Sequence, residues 1–159
     1  MDRALSALKF DGQLALASPL GALLMAHLQH NQPALLAQID ALVPIPLAGS
    51  RLAERGFNQS LQIARGMRAH APGQCPPIEA GWLQRQRHTA PQSSLSRAAR
   101  LTNLIGAFRV PNPELVAGKR IALVDDVMTT GSTLHEAARC LLAAGATEVF
   151  ALVVARTPA

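Results

Sequence analysis

Aromatic residues, lysines and cysteines are all scarce in this 159-residue sequence. Aromatic residues make up 3% of it, with one tryptophan and no tyrosine, whereas a surface that stacks single-stranded bases usually contains more. Cys75 and Cys140 are isolated and form no C-x-x-C pair. Each is therefore better explained as a buried or incidental thiol than as half of a disulfide or as a metal ligand.

Long apolar runs are also missing, since no uninterrupted stretch reaches the ~18 residues that a membrane-spanning helix requires. The first residues, Met1-Asp2-Arg3, lack the basic-then-apolar layout of a secretory signal. With 49% hydrophobic and 16% charged residues, the composition is that of a globular protein and not of a disordered chain. We therefore expect a cytoplasmic protein in which residues 1–159 form a single domain.

The positive charge of the chain is almost all arginine and is unevenly distributed. The formal net charge is +5, and only two of the 15 basic residues are lysines. Residues 51–109 contain nine arginines and two acids, a local excess of seven positive charges. Because the guanidinium group forms paired hydrogen bonds with phosphate, this segment is compatible with a pyrophosphate-bearing ligand or with a nucleic-acid backbone.

Apolar periodicity and turn residues predict an α/β fold. Strands are predicted at 39–43, 106–110, 120–125 and 149–155, and helices at 15–29, 57–68 and from about residue 133 to residue 145. The strand–helix–strand order favours a mainly parallel, doubly wound sheet with a ligand at the carboxyl ends of its strands. The almost wholly apolar last strand predicts helices on both faces of the sheet. The N-terminal segment and residues 72–100 are expected to form a small irregular hood.

The most informative motif runs from Val124 to Thr133, between a predicted strand and a predicted helix. Two adjacent carboxylates, Asp125 and Asp126, end the strand and can accept hydrogen bonds from two neighbouring sugar hydroxyls. The next residues can surround a phosphate with backbone N–H groups, hydroxyls and the positive end of the helix dipole. They are Val127, Met128, Thr129, Thr130, Gly131, Ser132 and Thr133. A ribose 5-phosphate carries both a diol and a phosphate, so the motif favours a sugar-phosphate site.

The alternative interpretation of this motif is a plain strand–helix turn, because acid pairs at strand ends and Ser/Thr-rich helix starts are common. A P-loop is excluded, since Gly118-Lys119 precedes the strand and lacks the upstream glycine spacing. No G-x-G-x-x-G string is present in the sequence, so a dinucleotide fingerprint is not indicated.

A second set of candidate residues follows the first predicted strand. Arg51, Arg55, Gly56, Asn58 and Gln59 combine guanidinium groups, a glycine and amide side chains at the start of a helix. They can donate hydrogen bonds to the pyrophosphate of a ligand held at the same edge of the sheet. In the alternative, this is a basic loop in which Asn58 or Gln59 only caps the helix.

A long polar and basic stretch, residues 84–97, is the third candidate. It contains Arg85, Arg87 and Gln92, and Arg100 follows it. Such a stretch is either a solvated loop or a lid that excludes water from a reactive intermediate.

These strings resemble known families. The Asp-Asp pair with the Thr-Thr-Gly-Ser-Thr turn resembles the phosphoribosyl-pyrophosphate (PRPP) motif of the type I phosphoribosyltransferases. Further strings resemble the ComF competence-protein (GntX-like) family over a match that runs from about Leu8 to Arg156. They include Val43-Pro44-Ile45-Pro46, Arg55-Gly56-Phe57-Asn58-Gln59 and Arg85-x-Arg-x-Thr89-x-x-Gln92-x-x-Leu95.

The resemblance implies a type I phosphoribosyltransferase-like fold that binds PRPP with Mg²⁺. Asp125 and Asp126 would hold the ribose hydroxyls, residues 129–133 the 5-phosphate, and Arg51 with Arg55 would lie toward the pyrophosphate. The two aspartates and Arg85, in the lid, are the candidate catalytic residues. Mg²⁺ would be held mainly by ligand oxygens and water, without a direct protein ligand, because it gives up its hydration shell reluctantly.

Two functions remain open on the sequence alone. One is transfer of the phosphoribosyl group to an acceptor that the sequence does not name. The other is a non-catalytic adaptor that binds single-stranded DNA through an arginine-rich face, because the resemblance links the protein to natural competence, DNA uptake and other competence proteins. Members of that family typically begin with a four-cysteine zinc ribbon, which is absent from this sequence. The chain is either a form without that module or a sequence trimmed at its N-terminus.

Overall fold

The computed structural model describes residues 16–86 and 106–157. In chain order its elements are α1 (Ala17–Asn31), α2 (Pro33–Leu36), β1 (Ala41–Pro44), α3 (Gly49–Arg55), α4 (Gln59–His70), β2 (Gln84–Arg85), β3 (Phe108–Arg109), α5 (Pro113–Val116), β4 (Arg120–Met128), α6 (Ser132–Ala143) and β5 (Glu148–Arg156). Strands β1, β4 and β5 form a parallel sheet in that order, and β2 pairs antiparallel with β3. The prediction of a mainly parallel α/β sheet is confirmed.

Strand β4 is the centre of the parallel sheet, and its first half is fully buried. Val124 pairs with Pro44 of β1 on one side and with Leu152 of β5 on the other. The four side chains from Ile121 to Val124 are each exposed by 1% or less, as expected for an apolar strand covered on both faces. Two-sided pairing extends to Val124, so the acid pair directly follows the most constrained part of this strand, and Asp125 pairs with Val153 of β5.

Helices pack on both faces of this sheet, which confirms the doubly wound arrangement. On one face Met25 of α1 and Ile63 of α4 pack in an apolar cluster that includes Leu42. On the other face Leu141 of α6 packs in a second cluster with Leu123. Full burial of one such side chain contributes about 1.5–3 kcal/mol, so the two clusters hold the strands and helices around the carboxyl edge in fixed positions.

Helices α1 and α4 cross at very close range because glycines lie at the contact. A Cβ atom on Gly21 would overlap the carbonyl oxygen of Ile63, and a Cβ atom on Gly66 would overlap the backbone of Ser18. Neither glycine has a positive φ, so the lack of a side chain is needed for the close approach and not for the backbone angle. This contact fixes α4, whose first turn reaches the carboxyl edge of the sheet.

The two-stranded ribbon of β2 and β3 lies beside the second cluster. Leu83, next to β2, and Phe108 of β3 are both buried in that cluster. The ribbon pairs Arg85 with Phe108, and the backbone N–H of Gln86 donates to the carbonyl of Ala107 at 2.8 Å. The strand predicted at 106–110 is therefore confirmed, although it is only two residues long.

Several local predictions are corrected by the structure. Helix α3 was not predicted, and the helix expected over 57–68 spans Gln59–His70. Leu142 of α6, an apolar residue next to the buried Leu141, is 47% exposed. Strand β5 is an edge strand of the described sheet, and although α1 and α6 both contact it, Leu152 is its single buried residue. Its apolar sequence therefore overstated its burial.

Much of the predicted hood, residues 1–15 and 87–100, lies outside the described residues. The described remainder of the 72–100 region contributes the ribbon strand β2. Within the described ranges, the structure contains no helix with the length and apolarity needed to cross a bilayer.

Candidate functional site

A cavity of about 340 Å³ opens at the carboxyl ends of β1 and β4, where parallel sheets of this kind bind ligands. Its wall combines the loop after β1, one face of α3, the first turn of α4, one ribbon residue and the end of β4. The lining residues are Ile45, Pro46, Leu47, Arg51, Glu54, Arg55, Gln59, Ser60, Arg85, Asp125, Asp126, Val127, Thr129 and Thr133. Nine of the 15 predicted site residues that the structure describes therefore line one space.

The acid pair at the end of β4 is held in a defined orientation. Oδ1 of Asp125 accepts a hydrogen bond from the hydroxyl of Ser60 at 3.0 Å and one from the backbone N–H of Asp126 at 2.9 Å. Oδ1 of Asp126, a residue only 8% exposed, accepts from the N–H of Val127 at 2.7 Å. These hydrogen bonds fix the orientation of both carboxylate groups at the wall of the cavity.

The loop after the acid pair forms a small cup of about 30 Å³ at the start of α6. The hydroxyls of Thr130 and Ser132 lie 2.7 Å apart and are hydrogen-bonded to each other. The N-cap residue, Gly131, provides no side-chain cap, and the Thr130 hydroxyl accepts from the N–H of Ser132 at 3.4 Å. The other amides of the first turn have no acceptor within the helix. The cup therefore presents hydroxyl and amide donors together with the positive end of the helix dipole, which suits a phosphate group.

Gly131 is required by the backbone of this cup. Its φ of 74° and ψ of 0° lie in the left-handed region, which side chains other than glycine enter at a cost. An added Cβ atom would lie 3.5 Å from the sulfur of Met128. The space next to Gly131 would thus tolerate a methyl group, and the constraint is the backbone angle itself.

Three arginines line the cavity together with the acid pair. Arg51 and Arg55 project from α3, and Arg85 comes from β2. Burial lowers the pKa of the Arg85 guanidinium, and the nearby positive charge of Arg51 lowers the same pKa further. The two guanidinium groups repel each other in a partly buried space, and a bound anion would reduce that repulsion.

The position of Arg85 depends on the ribbon. Its guanidinium carbon lies 5.6 Å from the centre of the Phe108 ring, within the range of a cation–π contact. The neighbouring residue Gln84 accepts two hydrogen bonds from Arg109, at 2.9 and 3.2 Å. Backbone pairing and side-chain contacts to β3 together direct Arg85 into the cavity.

The structure assigns different positions to the remaining predicted residues. Gln59 is 2% exposed and lines the cavity. Asn58 caps α4, because its Oδ1 accepts from the N–H groups of Ser60 and Leu61 while its amide donates to the carbonyl of Ile45. Gly56 ends α3 in the left-handed conformation. Neither Asn58 nor Gly56 lines the cavity, and Arg87, Gln92 and Arg100 lie outside the described residues.

Other cavity residues were missed by the sequence analysis. Ser60 directly follows the string that ends at Gln59, yet nothing in the sequence relates it to an aspartate 65 positions later. Glu54 lies between the two arginines of α3 and adds a third carboxylate to the wall. A helical projection of residues 49–55 would have placed Arg51, Glu54 and Arg55 on one face, because positions three and four apart are neighbours.

Two further features of the described side chains concern metal ligands and thiols. In residues 16–86 and 106–157 no group of three or more His, Cys, Asp or Glu residues is arranged to hold a metal ion. Burial raises the pKa of the Cys75 thiol and that of the Cys140 thiol. Neither thiol lines the cavity, so neither supplies a thiolate nucleophile to it.

The fold and the cavity define an α/β domain of the phosphoribosyltransferase type. Residues 30–159 match the Phosphoribosyl transferase domain family. Because this match covers well over half of the sequence, the chain belongs to that family.

Several curated proteins are similar to this chain. The DNA utilization protein YhgH of Escherichia coli (strain K12) is 37% identical over 160 residues, which cover 94% of this chain and 64% of that protein. Competence protein F of Haemophilus influenzae is 36% identical over 69% of this chain and 47% of that protein. Competence protein ComFC of Bacillus subtilis is 38% identical over 65% of this chain and 39% of that protein. The chain thus spans less than two thirds of the length of each of these relatives.

Solved structures support the same fold. Glutamine phosphoribosylpyrophosphate amidotransferase from B. subtilis, complexed with ADP and GMP, matches with a TM-score of 0.56 and 23% identity. That match covers 87% of this chain and 26% of the other. A structure described as the allosteric regulatory enzyme of purine biosynthesis matches with a TM-score of 0.55. At this level of identity the likeness bears on the fold alone.

Proposed function

We propose that the cavity binds PRPP, a ribose that carries a 5-phosphate and a 1-pyrophosphate. The 5-phosphate occupies the cup of Thr129–Thr133, and the ribose hydroxyls donate to Asp125 and Asp126. The pyrophosphate extends toward Arg51, Arg55 and Arg85. Charge complementarity supports this orientation, because carboxylates favour the uncharged diol over either phosphate group, and guanidinium groups favour the pyrophosphate.

The observation that carries the proposal is the convergence of these three features in one space. Asp125, Thr129 and Thr133 line the same cavity as the three arginines. A ligand with a phosphate alone would use only the cup, and one with a diol alone would use only the acid pair. PRPP is a ligand that uses all three.

Mg²⁺ is the cofactor implied by this family of folds, and the oxygen donors of the cavity suit it. Asp125 and Asp126 supply hard carboxylate oxygens, which Mg²⁺ prefers. These aspartates would hold the ion largely through water, and the ligand oxygens would complete its shell. When bound, the ion would neutralise part of the pyrophosphate charge.

The reaction that this arrangement supports is transfer of the phosphoribosyl group. The bond between C1 and the pyrophosphate oxygen breaks, and pyrophosphate leaves with the electron pair. A lone pair of the acceptor forms the new bond to C1, and the acceptor releases its proton to solvent. Arg51 and Arg85 would stabilise the negative charge that builds up on the leaving group.

Binding is tested first by calorimetric titration of PRPP, ribose 5-phosphate and pyrophosphate, each with Mg²⁺. PRPP is expected to bind more tightly than either fragment, because it engages both ends of the cavity. Equal affinity for PRPP and pyrophosphate would contradict the assignment of the cup.

Catalysis is tested by pyrophosphate release with a panel of bases and amines as acceptors. Release with none of them would favour a binding role without transfer.

Single-stranded DNA binding is the second candidate function, favoured by the arginine excess and by relatives named for DNA utilization and competence. The arginines of the described residues do not form a single surface, however. Arg51, Arg55 and Arg85 line the cavity, while Arg65 and Arg68 are exposed on α4. With few aromatics, binding should be indifferent to sequence and should weaken steeply with salt.

A competition assay at moderate salt separates the two candidate functions. Displacement of a fluorescent oligonucleotide by PRPP would assign the cavity arginines to both ligands. DNA binding that PRPP leaves unchanged would place the DNA surface outside the cavity. Lack of binding even at low salt would remove the main physical support for the adaptor alternative.

A further inference from the structure

Glu136 is a buried carboxylate that the proposed chemistry does not use. It lies on α6, one turn after the phosphate cup, and is 5% exposed. Its Oε1 accepts a hydrogen bond from the backbone N–H of Gly106 at 2.8 Å, and both of its oxygens accept from the guanidinium of Arg139 at 2.8 Å. Glu136 does not line the cavity, so its role must be exerted through other residues.

The bond to Gly106 leads directly to the ribbon. Gly106 has a φ of 70° and precedes Ala107, whose carbonyl accepts from the N–H of Gln86. The next residue, Phe108, pairs with Arg85 and carries the ring against which its guanidinium lies. A continuous set of backbone and ring contacts therefore connects Glu136 to a cavity arginine.

We propose that Glu136 is a positioning residue that sets Arg85 at a fixed distance from the phosphate cup, an inference that rests on the proposed function. Helix α6 contributes to both the cup and the anchor of the ribbon. Its first turn forms the cup, and its second turn anchors the start of β3 and thereby the ribbon. The Arg139 pair directs the carboxylate toward Gly106, and a charged acceptor strengthens the bond to that N–H.

The expected consequence is selectivity for ligands that carry anionic groups at both ends. In Glu136→Ala the Gly106 N–H loses its acceptor, and the ribbon loses a direct hydrogen bond to α6. The cup itself is unaltered, because its hydrogen bonds do not involve Glu136. Affinity for PRPP should fall about tenfold, which corresponds to about 1.4 kcal/mol, while affinity for ribose 5-phosphate should stay within about twofold.

Calorimetric affinities for PRPP and ribose 5-phosphate in three variants test this selectivity. Glu136→Gln retains a neutral acceptor for Gly106 and should lose less PRPP affinity than Glu136→Ala. Glu114→Ala removes an exposed carboxylate on α5 and serves as the matched control. An equal loss for both ligands in Glu136→Ala would overturn the proposal, because it would indicate a general structural role. If Glu136→Ala does not fold, Glu136→Asp replaces it, because the shorter side chain keeps the charge but moves the acceptor away from Gly106. The same selective loss of PRPP affinity is expected.

A double-mutant cycle tests whether Glu136 acts through Arg85. In an Arg85→Gln background, Glu136→Ala should cause little further loss of PRPP affinity, whereas additive losses would overturn the proposal.

Amide exchange provides a readout that needs no ligand, since Glu136→Ala should speed exchange at Gly106 and Gln86. Unchanged exchange would refute the anchoring. If Glu136→Ala speeds exchange but the wild-type protein binds no PRPP, the anchoring stands and the proposed ligand is refuted.

Discussion

The two ends of the cavity are built in different ways. The acid pair and the cup belong to one continuous segment, residues 125–133, which directly follows the part of β4 that pairs on both sides. The arginine end is assembled from α3, which buries none of its side chains, and from β2, a strand of two residues. Backbone hydrogen bonds and burial thus constrain the first end far more than the second.

This difference means that the geometry of the first end is harder to change by substitution than the geometry of the arginine end. A cup made by one segment has few ways to change its geometry, because its donors are backbone groups of a single strand–helix junction. The arginine end depends on contacts that a single substitution elsewhere can remove, such as the Gly106 anchor. Loss of the charged acceptors at the first end should therefore lower PRPP affinity more than loss of a single arginine at the second end.

The largest effect is expected from the double variant Asp125→Asn/Asp126→Asn. Each asparagine retains an oxygen acceptor for Ser60 or Val127, so the fold should be preserved, but the charged acceptors for the ribose are lost. Hydrogen bonds to charged groups contribute roughly 1.5–3 kcal/mol each, so PRPP affinity should fall at least about 100-fold. Calorimetry measures this loss, with Glu114→Gln as control. Wild-type affinity in the double variant would contradict the assignment of the ribose site.

Arg51→Gln and Arg85→Gln should each produce a smaller and selective effect. Loss of one guanidinium should lower PRPP affinity about tenfold, equivalent to about 1.4 kcal/mol, and leave ribose 5-phosphate affinity nearly unchanged. Salt titration provides the accompanying check, because the PRPP affinity of the variants should depend less on ionic strength. Similar losses for both ligands would show that the two ends of the cavity are not separable.

Gly131→Ala tests the backbone of the cup with an effect of about 1 kcal/mol. The left-handed φ of 74° should make alanine strained, and relief of that strain would displace the amides that we propose hold the 5-phosphate. Ribose 5-phosphate affinity should fall several-fold. Gly118→Ala is the matched control, because it has the same φ and no atom near its Cβ position. It should lose similar stability in denaturant unfolding with no loss of affinity, and equal affinity losses in both variants would refute a specific role for Gly131.

The smallest expected effect is the acid sensitivity that Glu136 contributes. Hydrogen bonding from Arg139 lowers the pKa of Glu136, with further lowering from the Gly106 N–H and from the charges of Arg139 and His135. A carboxylate whose pKa is lower in the folded state stabilises the protein above its unfolded pKa, about 4.3. That stabilisation is lost as pH falls through the folded pKa. The difference in free energy of unfolding between the wild type and Glu136→Gln should therefore shrink as the pH falls below about 4.3.

Denaturant unfolding at a series of pH values measures this difference. A His135→Gln background for both proteins keeps the charge of that neighbour constant across the series. A difference that grows on acidification would contradict the assigned direction of the pKa shift.

Prediction from sequence succeeded where the determining contacts are local. The strand–acid–hydroxyl–helix order of residues 120–143 follows from an apolar run, an acid pair, a hydroxyl-rich turn and a helix start, each of which depends on neighbouring residues. The same reasoning failed for α3, whose seven residues bury no side chain and so carry no apolar stripe. It also overstated the burial of β5, because an apolar sequence cannot indicate whether a strand lies at the centre or the edge of a sheet.

The sequence by itself determined the acid pair, the hydroxyl-rich turn after it and the α/β order, because each depends on neighbours along the chain. Only the tertiary structure decided that Ser60 would orient Asp125, that Arg85 would face Arg51, and that Glu136 would anchor Gly106. The physical reason is that these contacts join segments brought together by the burial of two apolar clusters and by the close crossing of α1 and α4. The hydrogen bonds and charges involved have no signature in the spacing of residues along the chain.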